Sequence, residues 1–270
     1  MELNMLTRTV ACERCGCAFE TEPLVMFSRI IYQEKHCTPC AEIVRGELDE
    51  KYAAEKREAG LRLREDRLRR VGSYFSRVCP ARYAATSTEH PEFNGKLWQR
   101  VAEWQPEEDR PWLGLVGPSG RSKTRIAYLL ARHLMEREAR EGGRRFFTDA
   151  EMVKPEACVW LTDYAFREAA VGRFSDGAAE AVKLLAMAKS AYLLVFDDLG
   201  KAKPTPAVAN ELFALIDHRH AQNLPMIWTS NLLPEEWFPG VEESVAVPMR
   251  GRLTELSQTI VMGRKVSGGK

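Results

Sequence analysis

The run Leu113–Thr124, reading LGLVGPSGRSKT, takes an apolar stretch into a glycine loop that ends in lysine and a hydroxyl residue. A loop of pattern GxxxxGK[ST] wraps backbone N–H groups around phosphate oxygens, its lysine neutralises their charge, and its hydroxyl helps hold Mg²⁺. Gly117, Lys123 and Thr124 stand at that spacing, with Pro118, Ser119, Gly120, Arg121 and Ser122 making up the rest of the loop. The departure is Ser122, which occupies the place of the second glycine. If the backbone there needs φ > 0, a serine costs about 1 kcal/mol of local strain. Downstream, Ile126, Leu129, Leu130 and Leu134 recur at helical spacing, so strand, loop and helix follow in the order a phosphate cradle requires. The alternative is a glycine turn that binds nothing.

A second constellation lies at Ala191–Lys201, AYLLVFDDLGK, an apolar strand tipped by Asp197 and Asp198. Charge at the end of a buried strand is costly unless a cation or water meets it at the sheet edge. Mg²⁺ beside the loop would meet it: Asp197 would hold the metal through water, and Asp198 would polarise the attacking water. The two motifs are expected at the ends of neighbouring strands, with Lys123 on one side and the acid pair on the other. A further strand, Met226–Thr229, delivers Ser230 and Asn231, and the Asn231 amide would orient water or touch a γ-phosphate, although asparagine after a strand is also an ordinary turn residue. Arg250 and Arg252, in VPMRGRL, suit either a charge-stabilising role at the site of a neighbouring subunit or a plain surface position.

Five of the seven cysteines fall in residues 1–46. Cys12 with Cys15 and Cys37 with Cys40 form two CxxC knuckles, a donor set that surrounds Zn²⁺ tetrahedrally and lets a short segment fold around it. Cys17 and His36 are substitutes for one ligand. Four thiolates leave no open coordination position, so the metal is expected to be structural.

These sites need elements to hold them. The chain of 270 residues divides on paper into a zinc-binding module (1–46), a charged linker helix (47–78) and a larger domain (79–270). The stretch from Glu47 to Arg70 reads as a largely solvated helix whose Arg62, Arg64, Arg67, Arg69 and Arg70 make a basic run, more a charged linker than a nucleic-acid contact. Strands are expected near Leu113–Val116, Cys158–Leu161, Tyr192–Phe196, Pro225–Thr229 and Thr259–Met262. The helix Pro206–Gln222 is expected to be capped by Thr205 and to bury Val208, Leu212, Leu215 and Ile216. Alternation of this kind implies an α/β fold with a mainly parallel sheet. Lys and Arg total 39 against 38 Asp and Glu, so any nucleic-acid binding must be patchy. No apolar run reaches the roughly 18 residues of a membrane span, and a cytoplasmic location without membrane contact is the expectation.

In order, Pro80–Tyr83, GPSGRSKT, LLVFDDLGK, Ile216–His220 (IDHRH), Trp228–Asn231 (WTSN) and Arg250–Leu253 (RGRL) resemble the helicase-loader and transposition-helper ATPases of the DnaC, DnaI and IstB type, within the AAA+ superfamily. The resemblance covers roughly residues 80–265. It implies a RecA-like core, without a helical lid domain, that self-associates with ATP held between subunits. Residues 117–124 would bind the phosphates, Thr124 and Asp197 the Mg²⁺, Asp198 would be the catalytic acid and Asn231 the polar sensor. Arg252 looks like the arginine finger, with Arg250 second. Arg167, Arg173, Lys183 and Lys189 lie where members of the family contact DNA. The cysteine-rich front resembles the zinc domain of DnaI-type loaders, which implies ATP-dependent loading of a replicative helicase onto single-stranded DNA. The alternatives are a transposition helper on duplex DNA and a non-hydrolysing bridging protein disabled at Ser122.

Overall fold

The computed structural model describes residues 7–26, 29–174, 178–200, 203–233 and 236–262. The chain divides into two units, Met1–Leu63 and Arg64–Lys270, and the division falls within one long helix. In the first unit, β1 (Arg8–Ala11) pairs antiparallel with β2 (Ala18–Thr21), and β3 (Leu24–Met26) pairs antiparallel with β4 (Arg29–Tyr32). The β1–β2 turn carries Cys12, Cys15 and Cys17, while Cys37 and Cys40 lie at the start of α1 (Thr38–Val78). So small a unit has little core to bury: Cys12 and Cys40 are among its few buried side chains, and Leu24, Ile30, Ile31 and Tyr32 are exposed. Folding of such a segment must draw on something other than apolar burial.

Helix α1 differs from the solvated helix expected over Glu47–Arg70. It starts at Thr38, with Pro39 inside the first turn where a missing N–H costs nothing, and it continues to Val78. Side chains 45–65 are exposed, as charge density predicts, but Val71, Tyr74 and Phe75 then turn into the core of the second unit. The basic run is consumed internally as well. Arg67 pairs with Glu151 and lies 4.7 Å from the Phe147 ring centroid, while Arg69 and Arg70 both pair with Asp66.

The second unit is built on a five-stranded parallel sheet in the order β6-β7-β8-β5-β9. Its strands are β5 (Trp112–Val116), β6 (Cys158–Thr162), β7 (Leu193–Asp197), β8 (Met226–Ser230) and β9 (Ser257–Val261). All five expected strands are present, each within a residue or two of its expected limits. The α/β fold with a parallel sheet is therefore as the alternation of elements implied, and its RecA-like form is as the resemblance implied.

Successive strand residues face opposite sides, and both sides are buried. On one face Leu113, Leu115, Leu193, Val195 and Ile227 meet the end of α1, α2 (Gly95–Val101) and α3 (Lys123–Glu141). On the other, Trp112, Val116, Leu194, Phe196 and Trp228 meet α4 (Asp163–Gly172), α5 (Ala179–Ser190), α6 (Pro206–Ala221) and α7 (Glu243–Glu255). Helix α6 follows its pattern: the Thr205 hydroxyl accepts from the Val208 amide, and Val208, Leu212, Leu215 and Ile216 are buried. Gly114 is required inside β5, because a Cβ there would lie 2.2 Å from the Trp228 indole. That indole fills the space and donates to Ser257 Oγ at 2.8 Å.

Candidate functional site

Strand β5 ends at Val116, and the chain turns at once through Gly117 and Pro118 into α3. The turn is held at its base, since the Gly117 amide donates to Ser230 O of β8 at 3.1 Å and the Met262 amide donates to Val116 O at 2.8 Å. Gly117 has φ 150 and a Cβ would meet Met262 at 2.9 Å, so only glycine fits. Gly120 (φ 74) and Ser122 (φ 64, ψ 17) are both left-handed. The position of the second glycine therefore does demand the backbone that glycine favours, and serine adopts it. Its hydroxyl donates to the Glu92 carbonyl.

Lys123 is buried, and its Nζ donates to Gly117 O at 2.7 Å, Pro118 O at 3.0 Å and Asn231 Oδ1 at 2.8 Å. Burial pulls its ammonium below the usual lysine range, against the opposing pull of Asp198 and Asp197. Beneath it, Asp197 Oδ1 accepts from Thr124 Oγ1 at 2.9 Å and from Thr229 Oγ1 at 2.7 Å. Burial raises this carboxyl above its usual range, and the two hydroxyl bonds only partly oppose that. Asp198 follows in a left-handed turn (φ 63), with its amide donating to Thr229 Oγ1 at 2.9 Å. Ser119–Thr124, Asp198 and Asn231 line one crevice of about 540 Å³, closed on its other side by Arg82, Tyr83, Pro91, Glu92 and Arg125.

Lys123 and Asp198 line one crevice, with Asp197 beneath it on the Thr124 hydroxyl, but one geometric expectation is corrected. Strands β5 and β7 are not neighbours, because β8 runs between them. The end of β8 makes the connection: Thr229 joins Asp197 to the Asp198 backbone, and Asn231 reaches Lys123. Thr229 had no assigned role in the sequence, nor did Glu92 and Arg125. A hydroxyl at a strand end is the one signal that marked Thr229. Glu92 and Arg125 are joined by a pairing across the fold that no local pattern carries.

Arg252, on α7, does not line this crevice. It pairs with Asp217 of α6 at 2.6 Å, lies 5.1 Å from the Phe213 ring centroid, and keeps a buried Nη1 without a hydrogen-bond partner. Arg250 Nη1 donates to Trp237 O at 3.4 Å. Of the basic residues singled out for DNA, Arg167 pairs with Asp163, Arg173 and Lys189 both pair with buried Glu211, and Lys183 is exposed.

In the first unit, the thiols of Cys12, Cys15, Cys17 and Cys37 lie within 4.8 Å of one another. Cys17 thus stands in the group where Cys40 was expected. Cys40 is buried beside them, and hydrogen bonding with Cys15, added to burial, pushes its thiol up to about 12. For Cys12, burial raises the thiol, yet the backbone amides of Cys15, Cys37 and Arg14 together bring it down to about 6. Backbone N–H groups aimed at the Cys12 sulfur favour thiolate, the form that binds metal, whereas hydrogen bonding with Cys15 pushes the Cys17 thiol up to about 12; four sulfurs this close together are a donor set that fits Zn²⁺.

Residues 113–238 match the family model described as the AAA domain, dynein-related subfamily. The matched stretch runs from β5 past β8 in the second unit. A crystal structure of DnaI is similar over 68% of this chain and 95% of that one, at 19% identity and a TM-score of 0.52. The DnaC helicase loader is 18% identical over 68% of this chain and 100% of that one, with a TM-score of 0.41. AMPPCP-bound DnaA from Aquifex aeolicus is 18% identical over 61% of this chain, with a TM-score of 0.43, and the chain spans 44% of its length. No curated protein matches the chain. The crevice lies outside the carboxyl ends of the parallel strands, the general place for ligands in open α/β sheets. Among the described residues, no helix is long and apolar enough to cross a membrane.

Proposed function

We propose that the chain binds and hydrolyses ATP, and that it uses this cycle to load a replicative helicase onto single-stranded DNA. The observation that carries the nucleotide reading is the shared crevice: a buried ammonium with only neutral acceptors, a carboxylate buried under two hydroxyls, and left-handed glycines between them. Both buried charges are destabilised as they stand. A polyphosphate at Lys123 and a divalent cation at Thr124 and Asp197 would relieve them together, so the residues fit the groups. The triphosphate would sit on the backbone amides of Ser119–Thr124, and its base would lie toward Arg82, Tyr83 and Pro91. Mg²⁺, when bound, supplies neutralisation of charge on the transferring phosphoryl group. Asp198 accepts the proton of the attacking water, and Asn231 orients that water from the end of β8. Arg252, outside its own crevice, would act on the site of a second copy and so make hydrolysis depend on self-association.

The loading role rests on the order of parts, cysteine cluster, long helix, then AAA fold, and on the likeness in fold to DnaI. The cysteine cluster would hold Zn²⁺ and present the first unit to the helicase. The bridging reading supposes that Ser122 disables the loop; the hydrogen bond from Ser122 to Glu92 supports the reading in which the serine is accommodated, and absence of turnover under every condition would favour the bridge. The deciding experiment is ATP turnover of the full chain with a hexameric replicative helicase, single-stranded DNA or duplex DNA added separately. Lys123→Ala is expected to abolish nucleotide binding, and Arg252→Ala to spare binding while lowering turnover by about 10³-fold. Hydrolysis by both variants at the parent rate would end the nucleotide reading. Stimulation by duplex DNA alone would replace loading with a transposition role.

A further inference from the structure

Ser122 departs from the glycine of this loop pattern, yet its surroundings give it a task. Ser122 and Arg125 stand three residues apart at the start of α3 and so project from one side of the helix. Both reach the same residue. The Ser122 hydroxyl donates to the Glu92 main-chain carbonyl, and Arg125 donates to the Glu92 carboxylate, at 2.6 Å from Nη2 and 3.1 Å from Nε.

Arg125 is itself buried, with two further attachments to the same stretch of chain. Its Nη1 donates to Thr86 Oγ1 at 3.2 Å, and its guanidinium lies 5.6 Å from the Tyr83 ring centroid. The Arg125 hydrogen bond, and then its charge, hold the Glu92 carboxyl below the usual glutamate range. The segment between these points is folded on itself by short turns, Thr86 N to Tyr83 O at 2.9 Å and Phe93 N to His90 O at 2.7 Å. It is therefore a formed wall, and Arg82, Tyr83, Pro91 and Glu92 are its face on the crevice.

We infer that Ser122 and Arg125 form a two-point clamp that fixes residues 82–92 against the phosphate loop, and that this clamp sets the affinity for the base and sugar of the nucleotide rather than for its phosphates. Ser122 and Arg125 are positioning residues in this role. A glycine at 122 would adopt the left-handed backbone without strain but would lose the hold on the Glu92 carbonyl. The serine accepts an unfavourable backbone and returns a fixed wall. This inference rests on the nucleotide reading of the crevice.

Titration calorimetry on the full chain, with Mg²⁺ present, separates the two. ATP and inorganic tripolyphosphate are the probes, since the second carries the phosphates without base or sugar. Ser122→Gly is expected to weaken ATP binding about five- to tenfold, the scale of one lost hydrogen bond, and to leave tripolyphosphate binding within about twofold of the parent. Glu92→Gln, which keeps the carbonyl and removes the charge pairing with Arg125, is expected to shift ATP in the same direction and again spare tripolyphosphate. Glu92 is mostly exposed, so this variant holds the test open if a change at buried Arg125 unfolds the chain. Parallel loss of both ligands in Ser122→Gly would place the effect in the loop and overturn the clamp, as would no loss of either. A parent chain that binds neither probe would remove the nucleotide reading itself, and the clamp with it.

Discussion

At the scale of single residues, the site stores two unneutralised charges. Asp197 carries a folded-state carboxyl raised by burial above its ordinary value of 3.8. A group raised in this way binds more protons folded than unfolded, so its contribution to stability is fully present below that ordinary value and is lost as pH rises through the folded one. Asp197→Asn keeps an oxygen for Thr124 and Thr229 and removes the charge. It is expected to raise the melting temperature of the ligand-free protein, by more at about pH 7 than at about pH 4, while abolishing Mg²⁺-dependent ATP turnover. Scanning calorimetry at the two pH values checks the first part, and an equal gain at both would contradict the account. Much of this site was legible beforehand, because GPSGRSKT and FDDLG each carry their chemistry within a few consecutive residues. Ser122 was legible as a departure, though its bond to Glu92 was not. Thr229 and Glu92 were missed for one reason: each acts on a partner distant in sequence, and no periodicity encodes that; Cys17 was legible as a substitute ligand, but not which of the four expected thiols it would displace.

At the scale of elements, strand existence was readable and strand order was not. Apolar runs such as LLVF and IWTS announce buried strands, but a crossover connection can return a strand to either side of an earlier one. Hence β8 lies between β5 and β7, where direct neighbours were expected. The IDHRH motif has an unexpected centre. Arg219 is fully buried, and its guanidinium donates to the carbonyls of Ala188, Lys189, Ala191, Tyr192 and Pro225, stitching the end of α5 to the starts of β7 and β8. Burial lowers its pKa to about 9. Arg219→Met fills similar volume but strands those carbonyls, so we expect a loss of about 3–5 kcal/mol in urea unfolding. A loss below about 1 kcal/mol would mean water replaces the guanidinium. Helix α1 gives a parallel case. The Arg67–Glu151 pair is buried on the arginine side, and Arg67→Ala is expected to cost about 3 kcal/mol, with Arg67→Met milder because the stem against Phe147 is kept.

At the scale of the whole molecule, the two units draw stability from different sources. The second has an extensive apolar core on both faces of its sheet, while the first has two short hairpins and a group of thiols. A strong chelator is therefore expected to abolish amide protection in β1–β4 and leave β5–β9 unchanged, as followed by hydrogen exchange. Protection of the hairpins in the presence of the chelator would show that their fold does not rest on a metal held by the thiols. Replacing Cys17 and Cys40 one at a time, with zinc content measured, would assign the fourth corner.

The position of β5 has one more consequence, for how the protein is made. Its two hydrogen-bonded flanks come from residues 226–230 and 257–261, far downstream of the loop it feeds. Once β5 has emerged from the ribosome it is a hydrophobic ribbon with neither edge covered, and the second edge stays open until β9 has emerged as well. Nascent chains that lack an emerged β9 should be sticky, protease-sensitive and dependent on chaperones, whereas chains extended by a linker long enough to bring β9 out of the tunnel should be resistant.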